Sequence, residues 1–202
     1  MAANIECNAS SAVRVTHHFL RRLLASSHCR GCFVFTSSAS AVLPSPFAAT
    51  YASTKAFVSM FAASLGPEVR SRGIDVLAVH PSPVASRFYD AATGGAAIPM
   101  LDAFKKLAVA PEALPDVIFA SVGRCLWKDV GPVAYAFRLV DKAVDLGALF
   151  SLAAPLMHLL PDYRAQLAKE RAAAGGATAA TGGAATKKAA ALRARPAAGK
   201  AK

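Results

Sequence analysis

A tyrosine and a lysine lie at a spacing that suits proton transfer, in the segment Tyr51-Ala-Ser-Thr-Lys55. Residues four positions apart share one face of a helix, so the phenol and the ammonium would lie within reach of one ligand. A neighbouring ammonium favours the tyrosinate and lowers the pKa of a phenol from its ordinary value of about 10. Such a phenol can act as the general acid in carbonyl reduction. Because this short motif is common by chance, its surroundings decide the interpretation.

Two longer segments flank the pair. Upstream, Gly31-Cys-Phe-Val-Phe-Thr-Ser-Ser38 predicts a short buried strand that ends in serines, and Ser38 lies thirteen residues before Tyr51. Downstream, Arg72-Gly-Ile-Asp-Val-Leu-Ala-Val-His predicts a second buried strand that leads into Pro81-Ser-Pro-Val-Ala-Ser. Serines after a strand are usually loop caps. The offset to the tyrosine favours a functional role here, because open α/β sheets bind ligands at the carboxyl ends of their strands.

In this order the motifs resemble the short-chain dehydrogenase/reductase family, most closely its branch of 3-ketoacyl-CoA reductases and 17β-hydroxysteroid dehydrogenases. The resemblance covers about residues 4 to 125. It implies that Ser38 holds the substrate carbonyl and that Tyr51 donates the proton. It also implies that Lys55 binds the cofactor ribose while tuning the tyrosine. Asn8 matches the helix asparagine that orders a proton-relay water.

The resemblance implies a nicotinamide cofactor, NADP(H) in preference to NAD(H). Tyr51 and Lys55 would contact it. Pro81 and the backbone of Val84 would lie at the nicotinamide carboxamide, and Ser86 would replace a threonine hydroxyl of the family.

One part of the family pattern is absent from the sequence. Relatives carry a glycine-rich turn of the T-G-x-x-x-G-x-G kind and an N-N-A-G segment, and neither occurs before Asn8. That turn supplies the N–H groups and the helix N-terminus that hold a pyrophosphate. Ser82, where relatives carry glycine, is a second departure. We therefore expect an α/β fold, the C-terminal portion of a Rossmann-like doubly wound parallel sheet, that lacks most of the cofactor cradle.

Hydrophobic periodicity predicts the elements that position these residues. Helices are expected at about 4–27, 48–70, 98–108 and 112–126, and strands at 32–36 and 74–79, with a possible later strand. The Ala/Gly-rich residues 90–97 would form a mobile substrate loop. The apolar stripe of helix 48–70, which includes Phe57 and Met60, fits either the core or a homodimer interface of the kind the family uses.

The C-terminal third divides by composition. Residues 133–170 would form an apolar helical cap or a membrane-associated segment, and residues 1–132 would form the reductase domain. The uncharged run 146–160 is fifteen residues long, short of the about twenty that span a bilayer. It fits equally well a cap packed on the core and an interfacial anchor. The N-terminus has no signal-peptide pattern, and either the endoplasmic reticulum membrane or the cytoplasm is expected.

The basic charge belongs mostly to a tail. The net charge is +11, and residues 171–202 hold seven of the 23 Lys and Arg residues and none of the 12 acids, which leaves +4 elsewhere. The tail is rich in Ala and Gly and cannot build a core, so we expect it to be disordered and solvated. Charge alone would let it touch nucleic acid or anionic lipid, but the rest of the chain predicts no specific nucleic-acid binding.

The four cysteines predict no disulfide framework and no metal site. The motif Cys29-Arg-Gly-Cys32 precedes a strand, whereas a redox pair opens a helix after one, and no second cysteine pair completes a zinc site.

Two functions from different classes follow. The first is a carbonyl reductase or alcohol dehydrogenase of the short-chain type, acting on a 3-ketoacyl-CoA or a steroid. The alternative is a catalytically incomplete fragment. Its first strand would present an unpaired edge that aggregates or pairs with a full-length chain.

Overall fold

The structure, a computed structural model, describes residues 2–26, 30–89, 99–161, 163–165, 167, 168 and 171. The chain divides into two compact units, Met1–Ala154 and Pro155–Lys202. The predicted substrate loop 90–97, Cys29 and the tail beyond residue 171 lie outside the described residues. The three-part domain division drawn from composition stays a prediction.

The first unit alternates helices and strands. In chain order these are α1 (Ala2–Ile5), a π-helical turn (Glu6–Ser10), α2 (Ser11–Ala25), β1 (Gly31–Thr36), α3 (Ala49–Arg70), β2 (Ile74–Pro81), α4 (Pro99–Lys105), α5 (Ala113–Ser121), β3 (Trp127–Val130), α6 (Pro132–Ala143) and α7 (Leu146–Ala153). The two predicted strands and the predicted long helix are confirmed within one or two residues. The later strand is β3.

The three strands form a parallel sheet in the order β1-β2-β3. Side chains alternate between the faces of a strand. On β2, Ile74 and Val76 pack in a cluster with residues of α2 and α3. Leu77 and Val79 point to the other face and pack against α5. Helices therefore cover both faces of β2, which confirms the predicted Rossmann-like architecture.

Helix α3 carries the tyrosine and the lysine and continues through Pro67 to Arg70 without a break. Its inner face, which includes Val58 and Leu65, is buried in the core. The predicted apolar stripe divides, because Phe57 and Met60 lie on the outer face and are 45% and 60% exposed.

The N-terminal helical run is only partly covered by the rest of the fold. Leu20 and Leu23 of α2 pack against the core, but Phe19 and Leu24 are exposed. Only one edge of β1, the strand beneath α2, is paired within the described residues.

The apolar C-terminal stretch is not one long helix. The Asp145 carboxylate accepts a hydrogen bond from the N–H of Ala148 at 3.0 Å and caps a new helix, α7. No helix in the described part of the chain has both the length and the apolarity needed to cross a membrane. A short 3₁₀ helix runs over Ala154–Leu159.

Candidate active site

Three of the four predicted catalytic residues meet at the carboxyl end of β1. Ser38 follows the strand with an extended backbone. Its hydroxyl accepts from the N–H and the Oγ of Ser40 at 3.2 and 3.0 Å, and its interaction with the Tyr51 phenol lowers the pKa of that phenol. Lys55 lies one turn further along α3, with its Nζ 5.7 Å from the centroid of the tyrosine ring. The helix spacing and the strand end thus bring the serine, the phenol and the ammonium together.

The electrostatics of the pair differ from the sequence-based expectation. Burial raises the pKa of Tyr51, and the hydrogen bond from Ser38 offsets this only in part. Burial also lowers the pKa of Lys55, and its ammonium donates to the carbonyl oxygen of Thr36 at 2.9 Å. The phenol therefore keeps its proton at neutral pH, and a general acid must carry its proton before the reaction.

Asn8, the fourth predicted residue, lies in the π-helical turn. Its Nδ2 donates to the hydroxyl of Thr54 at 3.2 Å and to Oδ1 of Asn4 at 3.0 Å. Thr54 in turn donates to the carbonyl oxygen of Tyr51 at 2.8 Å. The structure thus places Asn8 against the turn of α3 that carries the pair, through a threonine that sequence reasoning did not single out. Single π-turns inside helices are frequent at functional sites.

The predicted cofactor residues after β2 form an irregular segment beside the tyrosine. Val84 forms an isolated parallel bridge with Val109. Ser86 is exposed, and its hydroxyl accepts from the N–H of Phe88 at 3.4 Å. The Phe88 ring lies 6.1 Å from the ring of Tyr51, so this segment reaches the tyrosine.

Ser82, the residue that departs from the family glycine, has a structural role. It follows Pro81, the last residue of β2, and is 2% exposed. Its hydroxyl accepts from the N–H of Ala134 at 3.0 Å, which satisfies a donor in the first turn of α6. Gly131 makes room for it, because a Cβ there would lie 2.7 Å from the serine Oγ.

Tyr89 is a second phenol near the site that sequence reasoning missed. Its pKa is raised by burial and then by the charge of Tyr51, while a hydrogen bond with the backbone of Val84 lowers it. The aromatic pair at positions 88 and 89 was the available signal.

Comparison with known sequences supports the resemblance. Residues 1–94 match the family model described as short chain dehydrogenase. A very-long-chain 3-oxoacyl-CoA reductase of Laccaria bicolor is 31% identical over 115 residues, 57% of this chain and 33% of the relative. The mouse protein of that name is 39% identical over 83 residues, 41% of this chain and 26% of the relative. Estradiol 17-beta-dehydrogenase 2 of rat is 42% identical over 74 residues, 37% of this chain and 19% of the relative. The aligned part spans a third or less of these relatives.

Solved structures show the same fold. A 7β-hydroxysteroid dehydrogenase superposes with a TM-score of 0.57 at 24% identity, over 69% of this chain and 52% of the other. A short chain dehydrogenase from Burkholderia cenocepacia J2315 in complex with NADP gives 0.59 at 18% identity, over 74% and 59%. Both cover little more than half of the solved chain. The motif-based resemblance and the predicted fold class are confirmed.

Proposed function

We propose, from the match of residues 1–94 to the short chain dehydrogenase family model, that the protein is an NADP(H)-dependent oxidoreductase acting on an apolar carbonyl or alcohol. The observation that carries the proposal is geometric: Tyr51 lies beside Ser38 at the carboxyl end of β1, and the Lys55 Nζ lies 5.7 Å from the centroid of its ring.

Each residue would take one part of the acid–base chemistry. The Ser38 hydroxyl would donate to the substrate carbonyl oxygen, and Tyr51 would transfer its proton to the alkoxide that develops there. Lys55 would stabilise the tyrosinate left behind, because the ammonium needs only to turn from the Thr36 carbonyl. Asn8, held on Thr54, would order the water that returns the proton.

The described residues fit the nicotinamide end of the cofactor. A bound nicotinamide supplies the hydride. The Lys55 ammonium and the Tyr51 phenol would bind ribose hydroxyls. Pro81, the backbone of Val84 and the exposed Ser86 hydroxyl would hold the carboxamide. NADP(H) is preferred over NAD(H) on family resemblance alone.

The substrate class rests on relatives and on the lining of the site. The relatives' names refer to 3-oxoacyl-CoA and estradiol, and we propose a 3-ketoacyl-CoA or a steroid here. Phe88 is 52% exposed beside Tyr51, so it offers an apolar surface to such a substrate next to the proton donor.

The test compares two tyrosine variants in the 202-residue chain. We expect Tyr51→Phe to lose nearly all NADPH oxidation with a 3-ketoacyl-CoA or a steroid ketone, because the phenylalanine has no proton to donate. Tyr135→Phe is the matched control, since Tyr135 is an exposed tyrosine of α6. Circular dichroism checks that both variants fold. Retained turnover in Tyr51→Phe contradicts the assignment.

A second candidate is the incomplete fragment, and the outer side of β1 favours it. Within the described residues β1 pairs with β2 alone, and its Val34 is 40% exposed. Parallel sheets are normally buried on both faces, and an open edge invites another strand. An isolated chain that is monomeric by sedimentation and unfolds cooperatively would contradict this candidate.

Assembly and location are proposed on exposed apolar surfaces. Phe57 and Met60 on α3 would form a homodimer interface. Leu139 of α6 and Leu152 of α7, 70% and 78% exposed, would rest on a membrane surface, and the endoplasmic reticulum membrane and the cytoplasm both stay proposed locations. Met60→Glu should shift the sedimentation coefficient if the dimer forms, and Leu152→Glu should reduce flotation with phosphatidylcholine–phosphatidylserine vesicles.

A further inference from the structure

A buried polar network begins behind the candidate active site. His80, near the end of β2, is fully buried, and its Nε2 lies 2.9 Å from the hydroxyl of Ser59 on α3. The Ser59 hydroxyl lies 2.6 Å from that of Ser37. Both hydroxyls contact the carbonyl oxygen of Lys55, at 2.8 Å from Ser59 and 3.0 Å from Ser37. The network therefore ends on the backbone of the site lysine.

The other side of the imidazole faces β3 and α6. Asp129 is the register partner of His80, and its Oδ1 lies 3.7 Å from Nδ1, too long for a hydrogen bond. Arg138 pairs with both carboxylate oxygens at 3.0 Å. Trp127 donates from Nε1 to the carbonyl oxygen of Ser59 at 3.0 Å. Nδ1 of His80 has no hydrogen-bond partner among the described residues.

These contacts select one form of the imidazole. Burial and the charge of Arg138 lower the pKa of His80, and Asp129 offsets this only in part, so the ring is neutral near neutral pH. The Ser59 hydroxyl has one proton. When it donates to the Lys55 carbonyl oxygen at 2.8 Å, it accepts from Nε2 of the neutral imidazole at 2.9 Å. Ser37 donates to the same carbonyl oxygen at 3.0 Å.

A serine, a histidine and an aspartate that follow one another in space also form the catalytic triad of a hydrolase. Here the geometry of Ser59, His80 and Asp129 excludes hydrolytic catalysis. Ser59 is 4% exposed and His80 is fully buried, so a substrate cannot reach the hydroxyl. The long distance from Nδ1 to Asp129 also leaves the histidine without the orienting hydrogen bond of a triad.

We infer that His80, acting through Ser59 and Ser37, is a positioning residue that holds α3 against the end of β1. This inference rests on the proposed function. Two consecutive residues at the end of β1 bind Lys55 of α3. The carbonyl oxygen of Thr36 accepts from the lysine ammonium, and the Ser37 hydroxyl donates to the lysine carbonyl oxygen. Ser38, the next residue, lies beside Tyr51. His80 fixes Ser59, one turn beyond the lysine. The distance between Ser38, Tyr51 and Lys55 thus depends on a group that touches none of them.

The test removes one hydroxyl and uses a matched control. Ser59→Ala removes the hydroxyl at the centre of the hydrogen-bonded network. Ser121→Ala is the control, because Ser121 is also a buried helix serine, and it donates to the Val117 carbonyl, four residues earlier, at 2.7 Å. Both variants are made in the 202-residue chain. Nuclear magnetic resonance of labelled tyrosine and lysine gives the titration of Tyr51 and Lys55, and steady-state kinetics give kcat and KM.

We expect Ser59→Ala to move the Tyr51 titration down towards its ordinary value, because a loosened α3 admits water. It should also lower kcat by about tenfold with KM little changed, since displacement of a positioned group costs up to roughly a hundredfold. Ser59→Thr, which keeps the hydroxyl, should restore both, and Ser121→Ala should move neither. If Ser59→Ala fails to fold, Ser37→Ala takes its place.

Two results overturn the inference: titrations that Ser59→Ala leaves unchanged, and equal shifts in both serine-to-alanine variants. Failure of the proposed function is distinguishable from this. If the wild-type chain shows no turnover but the titrations move in Ser59→Ala alone, the positioning network stands and the reductase assignment falls.

Discussion

Two neighbouring strands of one sheet have very different surroundings. Val34 of β1 and Leu77 of β2 are register partners, so they lie side by side on the same face. Leu77 is fully buried beneath α5, whereas Val34 is 40% exposed. On the opposite face the partners Phe35 and Ala78 are both buried. Within the described residues, helices therefore cover both faces of the sheet at β2 but only one face at β1.

The difference bears on function because the candidate site uses both strands. Ser38 extends the less covered strand, while His80 lies at the end of the buried one. The network through Ser59 ties the first to the second. The candidate site is thus tied to the strand that helices cover on both faces.

The largest expected effect is the pH dependence of stability due to His80. Burial lowers its folded pKa to about 4, below the ordinary 6.5, so the unfolded chain binds the extra proton. The contribution of His80 to the unfolding free energy is fully present above pH 6.5 and falls by about 3 kcal/mol as the pH drops to 4. Urea unfolding across this range should show the loss. His80→Gln should flatten it, and an unchanged slope would show that another group is responsible.

Two glycines, one just before α6 and one at the start of β1, differ in the room they leave for a Cβ. Gly131 has φ 87°, and a Cβ there would lie 2.4 Å from Val109 Cγ2, so Gly131→Ala should cost roughly 2–3 kcal/mol. At Gly31, which begins β1, a Cβ meets only the flexible Leu23 side chain at 3.0 Å. Gly31→Ala should leave the unfolding free energy nearly unchanged. Equal costs would remove the contrast.

Two valines, one on each strand, test whether covering a strand face contributes to stability. Val79→Ala, on the buried strand at 2% exposure, should lower the unfolding free energy by about 2 kcal/mol. Val34→Ala should change it by about 0.5 kcal/mol or less, because the side chain is already in contact with water. Chemical denaturation measures both. A large cost at Val34 would show that something covers it in solution.

We expect Val34→Lys to have the smallest effect on stability. It should have the clearest effect on association between chains. A lysine on an exposed strand opposes strand pairing with other chains. The unfolding midpoint should stay within about 0.5 kcal/mol of wild type, while any concentration-dependent association seen by sedimentation decreases. Association that persists unchanged would place the interface elsewhere, with Met60 of α3 as the next candidate.

Local patterns predicted a large part of the fold. The apolar runs that became β1 and β2, and the helix between them, are short-range signals, because period and length depend on neighbours in the chain. The spacing from Ser38 to Tyr51 and Lys55 also follows from chain geometry, since the strand end and the helix fix it. The sequence by itself thus determined the fold class and which residues could form the acid–base centre.

Only the tertiary structure decided how those residues are tuned. The pKa of Tyr51 is raised because burial outweighs the hydrogen bond of Ser38, and burial is a property of the packed chain. Asn8 meets Thr54 across 46 positions, and His80 meets Ser59 across 21. No local pattern encodes such pairs, because each depends on how helices lie on the sheet. Composition showed which groups were available, and packing settled which of them meet.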